Sequence, residues 1–263
     1  MPPEVSVFYR YLLASALLFA FCAARGLPLR YRLREHLWLA ALGVAMFGVS
    51  YVLVYYAEVY VVSGLVAVGY SASPLFGMLG QRMCFGTPMT GRMTAGSLLG
   101  IAGIMLVFWP EFERLGAGPN VGLGALYTVL AVIISTIGSL IAHRNHDAQL
   151  PVWQSMAWGM LYGALSSLAM ALALGRPLAF DASVPYVASL LYLTALGSIT
   201  AFACFLTLLG RIGAARSGYI GVMVPIVALM ISAIFEGFRW HLLTAVGIAV
   251  SVAGNVLVLR PRR

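Results

Sequence analysis

The sequence contains no lysine, and charge of either sign is scarce along it. All 16 basic residues are arginine, only 8 residues are acidic, and charged residues make up 9% of the 263. Soluble domains carry about 25% charged residues. With 62% hydrophobic residues and a mean hydropathy of +0.95, the chain is too apolar to bury a core in water. This composition excludes an ordinary soluble domain and indicates a protein solvated by lipid.

Cysteine is also rare, which excludes another class of protein. The three cysteines, Cys22, Cys84 and Cys204, are isolated from one another and lie in or beside apolar stretches. Single cysteines of this kind behave as small hydrophobic residues. They lack the spacing of a disulfide framework or a metal site. We predict no metal and no other cofactor.

Histidine is equally scarce, and its placement argues against an enzyme. The four histidines fall at the ends of apolar stretches, so none supplies a base within the membrane to the elbow-like segment Gly69–Ser73. That segment also lacks the second glycine of a nucleophile elbow. His143, His146 and Asp147 have a helical spacing that would suit a metal, but we favour a solvated loop for them. We predict that the chain is not an enzyme.

What the chain has instead is a series of long apolar runs. About 20 residues span the roughly 30 Å of bilayer hydrocarbon, and nine runs qualify, at approximately 5–24, 37–57, 60–80, 93–110, 121–142, 152–174, 185–208, 213–235 and 241–259. None alternates as a strand of a membrane barrel would. We predict an all-α integral membrane protein whose nine helices run antiparallel in sequence, because the connections are short.

The second half of the chain repeats the first. A shift of 151 residues superposes five positions: Pro74 on Pro225, Gly86 on Gly237, Gly96 on Gly247, Gly103 on Gly254 and Pro110 on Pro261. Upstream, a shift of 149 places Pro2 on Pro151 and Gly26 on Gly175. Similarity at a fixed period indicates internal repeats, which we predict at 2–110 and 120–261.

The two predicted repeats differ by one helix. The second contains an apolar run at 121–142 before its Pro151, whereas the first has nothing before Pro2. We expect a ten-helix architecture whose first helix is missing, which leaves four helices in the first repeat and five in the second. Because five is an odd number, the two copies insert in opposite orientations, as in inverted-repeat transporters.

Arginine is distributed unevenly between the two sides of the predicted bundle. One side receives only Arg10, Arg114, Arg176 and Arg239, and the other receives the remaining twelve. The positive-inside rule therefore predicts a cytoplasmic C-terminus in a multi-pass protein of the cytoplasmic membrane. The net charge of +8 is then explained by arginines that face the lipid bilayer, and we predict no nucleic-acid partner. The cluster of Arg30, Arg32 and Arg34 is an orientation signal or a specific lipid or regulatory site.

Several segments resemble the EamA-type, ten-helix branch of the drug/metabolite transporter superfamily. Residues 2–19, which include Arg10, resemble the second helix of that family, and Gly64–Pro74 and Ala215–Pro225 resemble its fourth and ninth helices. The glycine rows from Gly96 and Gly247 resemble its fifth and tenth. Two departures are evident: the first helix is absent, and Phe85–Pro88 lacks the usual acidic residue, although the second copy keeps Glu236.

This resemblance implies a secondary transporter, often an exporter of amino acids or other small metabolites. Independently, inverted repeats in transporters rock about a site near the membrane midplane, where interrupted helices offer free backbone groups to the solute. Pro74 and Pro225 interrupt matching helices, and each removes one backbone donor. The alternative for this pair is a packing kink with no role in binding.

Polar but uncharged side chains near these prolines form the predicted substrate site. They are the hydroxyl and phenol groups of Tyr51, Tyr55, Ser71, Ser73, Ser217 and Tyr219. Such groups suit a zwitterionic or partly apolar solute better than a polyanion. The tyrosines fit an aromatic belt at the membrane interface as the alternative.

Arg10 is predicted about one turn inside its helix, where a charge is costly and indicates function. It contacts a substrate carboxylate, or it extends to the interface and pairs with Glu4 or with a residue of the missing helix. No carboxylate lies near mid-membrane in the sequence. A coupling proton would therefore be carried by Glu58 or by the missing helix, and coupling to a proton or a counter-substrate stays open.

Small residues recur at helical spacing on two matching helices. The predicted packing positions are Gly96, Gly100, Gly103, Gly247 and Gly254, which allow close helix contact. They join the two repeats within one chain, which we favour, or two chains in a homodimer. We predict an exporter of small metabolites, with a non-transporting membrane protein, such as a structural subunit or an inactive relative, as the alternative.

Overall fold

The computed structural model of the protein describes residues 1–86, 91–114, 119–217, 227, 231, 234–235 and 241–259. Its helices are α1 (Pro3–Ala24), α2 (Leu33–Leu42), α3 (Ser50–Tyr60), α4 (Ser63–Gly69), α5 (Ser73–Phe85), α6 (Gly91–Arg114), α7 (Pro119–Asp147), α8 (Val152–Ala173), α9 (Val184–Tyr192), α10 (Ala201–Ser217) and α11 (Leu242–Leu259). A first π segment (Gly43–Val49) joins α2 to α3, and a second π segment (Leu193–Thr200) joins α9 to α10. A 3-10 turn (Tyr70–Ala72) separates α4 from α5.

All regular structure in the described residues is helical, which confirms the predicted all-α membrane fold. In the part of the chain that the structure describes, five stretches are long and apolar enough to cross a bilayer: Pro3–Ala24, Leu33–Tyr60, Asn120–Asp147, Val152–Ala173 and Val184–Leu209. Each coincides closely with one predicted span. The predicted span 60–80 is not one helix, because the chain breaks after Tyr60 and again at the 3-10 turn. The span 213–235 lies mostly outside the described residues, and the total number of helices stays a prediction.

The chain leaves α1 and α8 by the same kind of turn. Gly26 and Gly175, which the 149-residue shift aligns, have positive φ angles of 63° and 61°, a conformation that glycine adopts without a Cβ penalty. After each glycine, one amide reaches back five residues: Leu27 donates to Cys22 at 2.9 Å, and Arg176 donates to Ala171 at 2.8 Å. This is the hydrogen bond of a Schellman C-cap. Two segments aligned by sequence therefore share a local backbone structure.

The chain divides into two compact units that do not coincide with the predicted repeats. Unit 1 comprises Met1–Val52 and Ile137–Gly213, and unit 2 comprises Leu53–Thr136 and Ala214–Arg263. Each unit therefore takes residues from both halves of the sequence. The repeats 2–110 and 120–261 remain a prediction about sequence similarity, whereas the units describe which helices pack together.

Unit 1 is built around α8, which packs along α1 and against the first π segment. Glycine permits this approach, because a Cβ on Gly163 would lie 2.9 Å from the carbonyl oxygen of Gly43, and a Cβ on Gly43 would overlap the carbonyl of Gly159. The buried side chains of Phe47 and Met156 fill the remaining space. The first π segment therefore packs directly against the backbone of α8 at these glycines.

Unit 2 contains a second close helix contact, between α6 and α11. A Cβ on Gly103 would lie 2.5 Å from the carbonyl oxygen of Gly247, and a Cβ on Gly247 would lie 2.6 Å from that of Gly103. A Cβ on Gly254 would overlap the carbonyl of Gly96. Gly100 differs from Gly103, Gly247 and Gly254, because a Cβ built on it would meet nothing within 4 Å, although its backbone nitrogen lies 2.7 Å from the Cβ position of Gly254.

We predict that Gly103→Ala destabilises the protein and that Gly100→Ala does not. The new Cβ at position 103 forces the two backbones apart, which should cost about 1–3 kcal/mol as in other overpacked sites. At position 100 the methyl group enters open space, and alanine also favours the helix over glycine. The measurement is the thermal unfolding midpoint and the monodisperse yield of each purified variant. Equal loss in both variants would contradict the contact described above.

Candidate functional site

Arg10 places a charge inside unit 1. Its side chain, on α1, is only 5% exposed, and its Nε donates a hydrogen bond to Ser198 Oγ at 2.8 Å. Ser198 is fully buried and belongs to the second π segment. The hydroxyl of Thr194, in the same segment, donates to the Arg10 carbonyl at 3.5 Å. The guanidinium is therefore held between helices of this unit and does not extend away from them.

Aromatic rings flank the Arg10 guanidinium. Its Cζ lies 5.0 Å from the ring centroid of Tyr51 and 5.4 Å from that of Tyr11. These two rings meet edge to face at 5.2 Å, and Phe47 continues the cluster at 5.4 Å from Tyr11. A cation near aromatic faces is stabilised by about 0.5–2 kcal/mol. The structure thus brings together Arg10 and Tyr51, two residues that we predicted to bind substrate.

The two π segments show how the backbone accommodates this site. They begin 150 residues apart, at Gly43 and Leu193, so both halves of the chain carry one at a corresponding position. Each is followed by a hydroxyl residue or ends on one: Ser50 donates to the Met46 carbonyl at 2.8 Å, and Thr200 donates to the Ala195 carbonyl at 2.9 Å. Turns with π geometry are rare and frequently mark functional sites.

Pro74 is the second residue of α5 in unit 2, and Ser73 alone separates it from the 3-10 turn. Proline has no amide hydrogen, so the carbonyl of Tyr70, four residues earlier, cannot receive the usual α-helical bond. The hydroxyl of Ser73 donates to that carbonyl at 2.6 Å. The backbone group that we expected to be free for a solute therefore has a donor within the same turn.

The other predicted substrate residues are only partly described. Tyr55 lies one turn after Tyr51 on α3 and is half-buried, in unit 2. Ser71 lies in the 3-10 turn and Ser217 is the last residue of α10, but the side chains of Ser71, Pro74 and Ser217 lie outside the described part of the chain. Tyr219 and Pro225 lie outside it altogether. Their roles in binding stay predictions.

Three residues of the Arg10 site carried no signal in our sequence analysis. Ser198 is one of several hydroxyl residues in apolar helices, and Tyr11 has the pattern of an ordinary core residue. Gly197 is informative only in space, because a Cβ on it would lie 3.2 Å from Arg10 Nη2. The absence of that side chain leaves room for the guanidinium.

Unit 1 also contains a small cavity bordered by residues of α7, α8 and α10, including Asn145, His146 and Ser155. The cavity has a volume of about 20 Å³, which is room for one water molecule. Among the described residues, neither Asn145 Nδ2 nor Ser155 Oγ has a hydrogen-bond partner. The cavity is too small for a metabolite. His143 faces Asp147 at 3.7 Å, and it does not share a metal-like cluster with His146 in the described part of the chain.

The fold and the buried charge define a class before any comparison is made: a multi-pass helical membrane protein with a polar centre among its helices. The chain belongs to the EamA-like transporter family, which matches residues 1–109 and 122–260. This confirms the resemblance noted in the sequence. The protein is accordingly a membrane transporter of small solutes.

The remaining comparisons concern the fold. A solved structure titled only "Crystal structure of protein" superposes with a TM-score of 0.72, at 18% sequence identity, and the match covers 98% of this chain and 87% of that one. At that identity the similarity shows a shared fold and nothing about the solute. No curated protein matches the sequence.

We predict that the costs of Ser73→Ala and Pro74→Ala are not additive. With Pro74 in place, Ser73→Ala removes a donor from the Tyr70 carbonyl and should cost about 1 kcal/mol. In a Pro74→Ala background the same change should cost almost nothing, because the new amide of residue 74 donates to that carbonyl. Thermal unfolding of the two single variants and the double variant gives the coupling energy. Additive costs would show that Ser73 does not compensate for the proline.

Proposed function

We propose that the protein exports small metabolites such as amino acids across the cytoplasmic membrane, by alternating access of two inverted repeats. The observation that most supports a solute pathway is the buried Arg10, held by Ser198 and flanked by Tyr51 in helices long enough to cross a bilayer. Placing an arginine at the centre of a membrane helix costs about 2.5–3.5 kcal/mol on insertion scales. Charges kept at that cost usually serve an ion or solute pathway.

The groups around Arg10 favour a solute with one carboxylate and an apolar part. A guanidinium presents a planar fork of donors that matches a carboxylate. The neighbouring Tyr11 and Tyr51 offer ring faces to an apolar group. Among the described side chains of this site, Arg10 is the one cation, which favours a monoanionic or zwitterionic solute over a polyanion. Amino acids combine these features.

The proposed alternating access requires helices that can bend, and irregular segments are places where they can do so. Unit 1 holds the two π segments, and unit 2 holds the 3-10 turn that precedes Pro74. We include the predicted orientation in the proposal, with the C-terminus in the cytoplasm on the side rich in arginine. Coupling to a proton, with Glu58 as a candidate carrier, and assembly as a homodimer are optional additions to this proposal.

We predict that Arg10→Gln lowers export at least about tenfold, because loss of a buried charged partner typically costs about 2 kcal/mol or more of binding. The measurement is an untargeted comparison of metabolites in the medium of cells that express the gene, the variant, or an empty vector. The solute should accumulate outside only with the unmutated protein.

The matched control is Arg176→Gln, which removes the same charge from the exposed turn after α8. It should export at the unmutated rate. No exported solute in any arm, with the protein inserted and folded, would favour the non-transporting alternative. Export that is equally reduced by both variants would remove Arg10 from the substrate site.

A further inference from the structure

Two contacts in unit 1 are formed by corresponding elements of the two halves of the chain, and the large residue stands on the opposite partner in each. The 149-residue shift aligns Arg10 on α1 with Gly159 on α8, and the 150-residue offset of the π segments aligns Gly197 with Phe47. Arg10 Nη2 lies 3.2 Å from the Cβ position of Gly197. In the corresponding contact, Phe47 Cε2 lies 3.1 Å from the Cβ position of Gly159.

The surrounding sequence supports this pairing. The residues that follow in the two π segments are similar in type, with Val49 aligned to Ile199 and Ser50 aligned to Thr200. Each contact combines one large side chain with one glycine that makes room for it. In one contact the large group is an apolar ring, and in the other it is a guanidinium.

The contact between Phe47 and Gly159 can therefore be compared with the contact between Arg10 and Gly197 in the same chain. The contact between Phe47 and Gly159 shows that this kind of helix junction packs without a charge, since Phe47 is fully buried there. Replacement of a buried ionic group by an apolar one is often neutral or even stabilising. The packing of this junction therefore does not by itself explain a cation at position 10.

We propose that Arg10 is an anion-binding centre for the carboxylate of the transported solute, and that Gly197 and Ser198 are positioning residues that hold its guanidinium. This inference rests on the proposed transport function and specifies the class of solute. Gly197 leaves space for the guanidinium, and Ser198 Oγ accepts its Nε hydrogen bond at 2.8 Å. The nearby faces of Tyr11 and Tyr51 line the same region.

The first experiment measures the charge at this site without knowledge of the solute. Ser198 is replaced by cysteine in a variant whose Cys22, Cys84 and Cys204 are alanine, so that one thiol reports from beside Arg10. Its modification rate is measured in membranes with an anionic (sulfonatoethyl) and a cationic (trimethylammonioethyl) methanethiosulfonate. The rates are compared for arginine, lysine and methionine at position 10.

Each rate is divided by the rate of the same reagent with a free thiol in solution. With Arg10 or Arg10→Lys, this relative rate should be at least about tenfold higher for the anionic reagent than for the cationic one, because a charge within several ångströms acts strongly where water is excluded. With Arg10→Met the preference should vanish while the purified protein keeps its unfolding midpoint, since the Phe47 contact packs without a charge. A preference that ignores residue 10 would overturn the proposal. So would a thiol that neither reagent reaches, because a substrate site must open to water.

The second experiment covers the case in which Arg10→Met does not fold, and tests the positioning residues. Ser198→Ala and Gly197→Ala should reduce export of an amino acid severalfold more than export of its C-terminal amide. Ser198→Thr, which keeps the hydroxyl, should leave the ratio of amino-acid export to amide export at the unmutated value. Equal loss for both solutes would assign these residues a structural role and overturn the positioning claim.

The two experiments together separate the anion site from the proposed transport. An anion preference of the thiol at position 198 without any exported solute would reject transport but keep the anion site. Export of a solute without that preference would keep transport and reject the anion site.

Discussion

Within hydrocarbon, a backbone amide or carbonyl that lacks a partner costs several kcal/mol, and three irregular points of these helices have a side-chain donor for a backbone carbonyl. Ser50, which follows the first π segment, and Thr200, which ends the second, each donate to a carbonyl of that segment. Before Pro74, Ser73 does the same for Tyr70. Departures from α geometry thus occur where a short hydroxyl side chain supplies a hydrogen bond. This allows bends inside a membrane segment without exposing polar backbone to lipid.

Contact between helices must then come from close packing, because lipid tails are as apolar as the side chains they compete with. Glycine provides it in both units, where Gly43 meets Gly159 and where Gly103 meets Gly247. Gly197 uses the same property differently, since the missing side chain is replaced by the guanidinium of Arg10. Glycine on a helix surface therefore permits close contact between backbones at Gly43, Gly159, Gly103 and Gly247, and at Gly197 it makes room for a charged side chain.

The fold was largely predictable because an apolar run of 20 residues has almost no stable form in lipid except a helix. Small residues at helical spacing had also indicated Gly103 and Gly247 as packing positions, and these two residues meet at one helix contact. Gly100 shows where such reasoning ends, because the direction of a Cβ depends on helix rotation, which spacing alone does not determine. The π segments were missed because one extra residue in a turn shifts the helix face, and no such shift can be seen in a run that is apolar on every side. Ser198 became recognisable only once the structure set it beside Arg10.

The placement of Arg10 in one half has a consequence for the proposed alternating access. In alternating access, two inverted repeats exchange conformations as the site opens first to one side of the membrane and then to the other. A contact that is the same in both halves is then present in both states, because each half adopts the conformation of the other. The Arg10–Gly197 contact has no charged counterpart, since Phe47 and Gly159 stand at the corresponding positions. A carboxylate held by Arg10 would stay with unit 1 in both states. The solute would then keep one orientation relative to unit 1. The side of the membrane to which the site opens would change, and the contact between the carboxylate and Arg10 would stay the same.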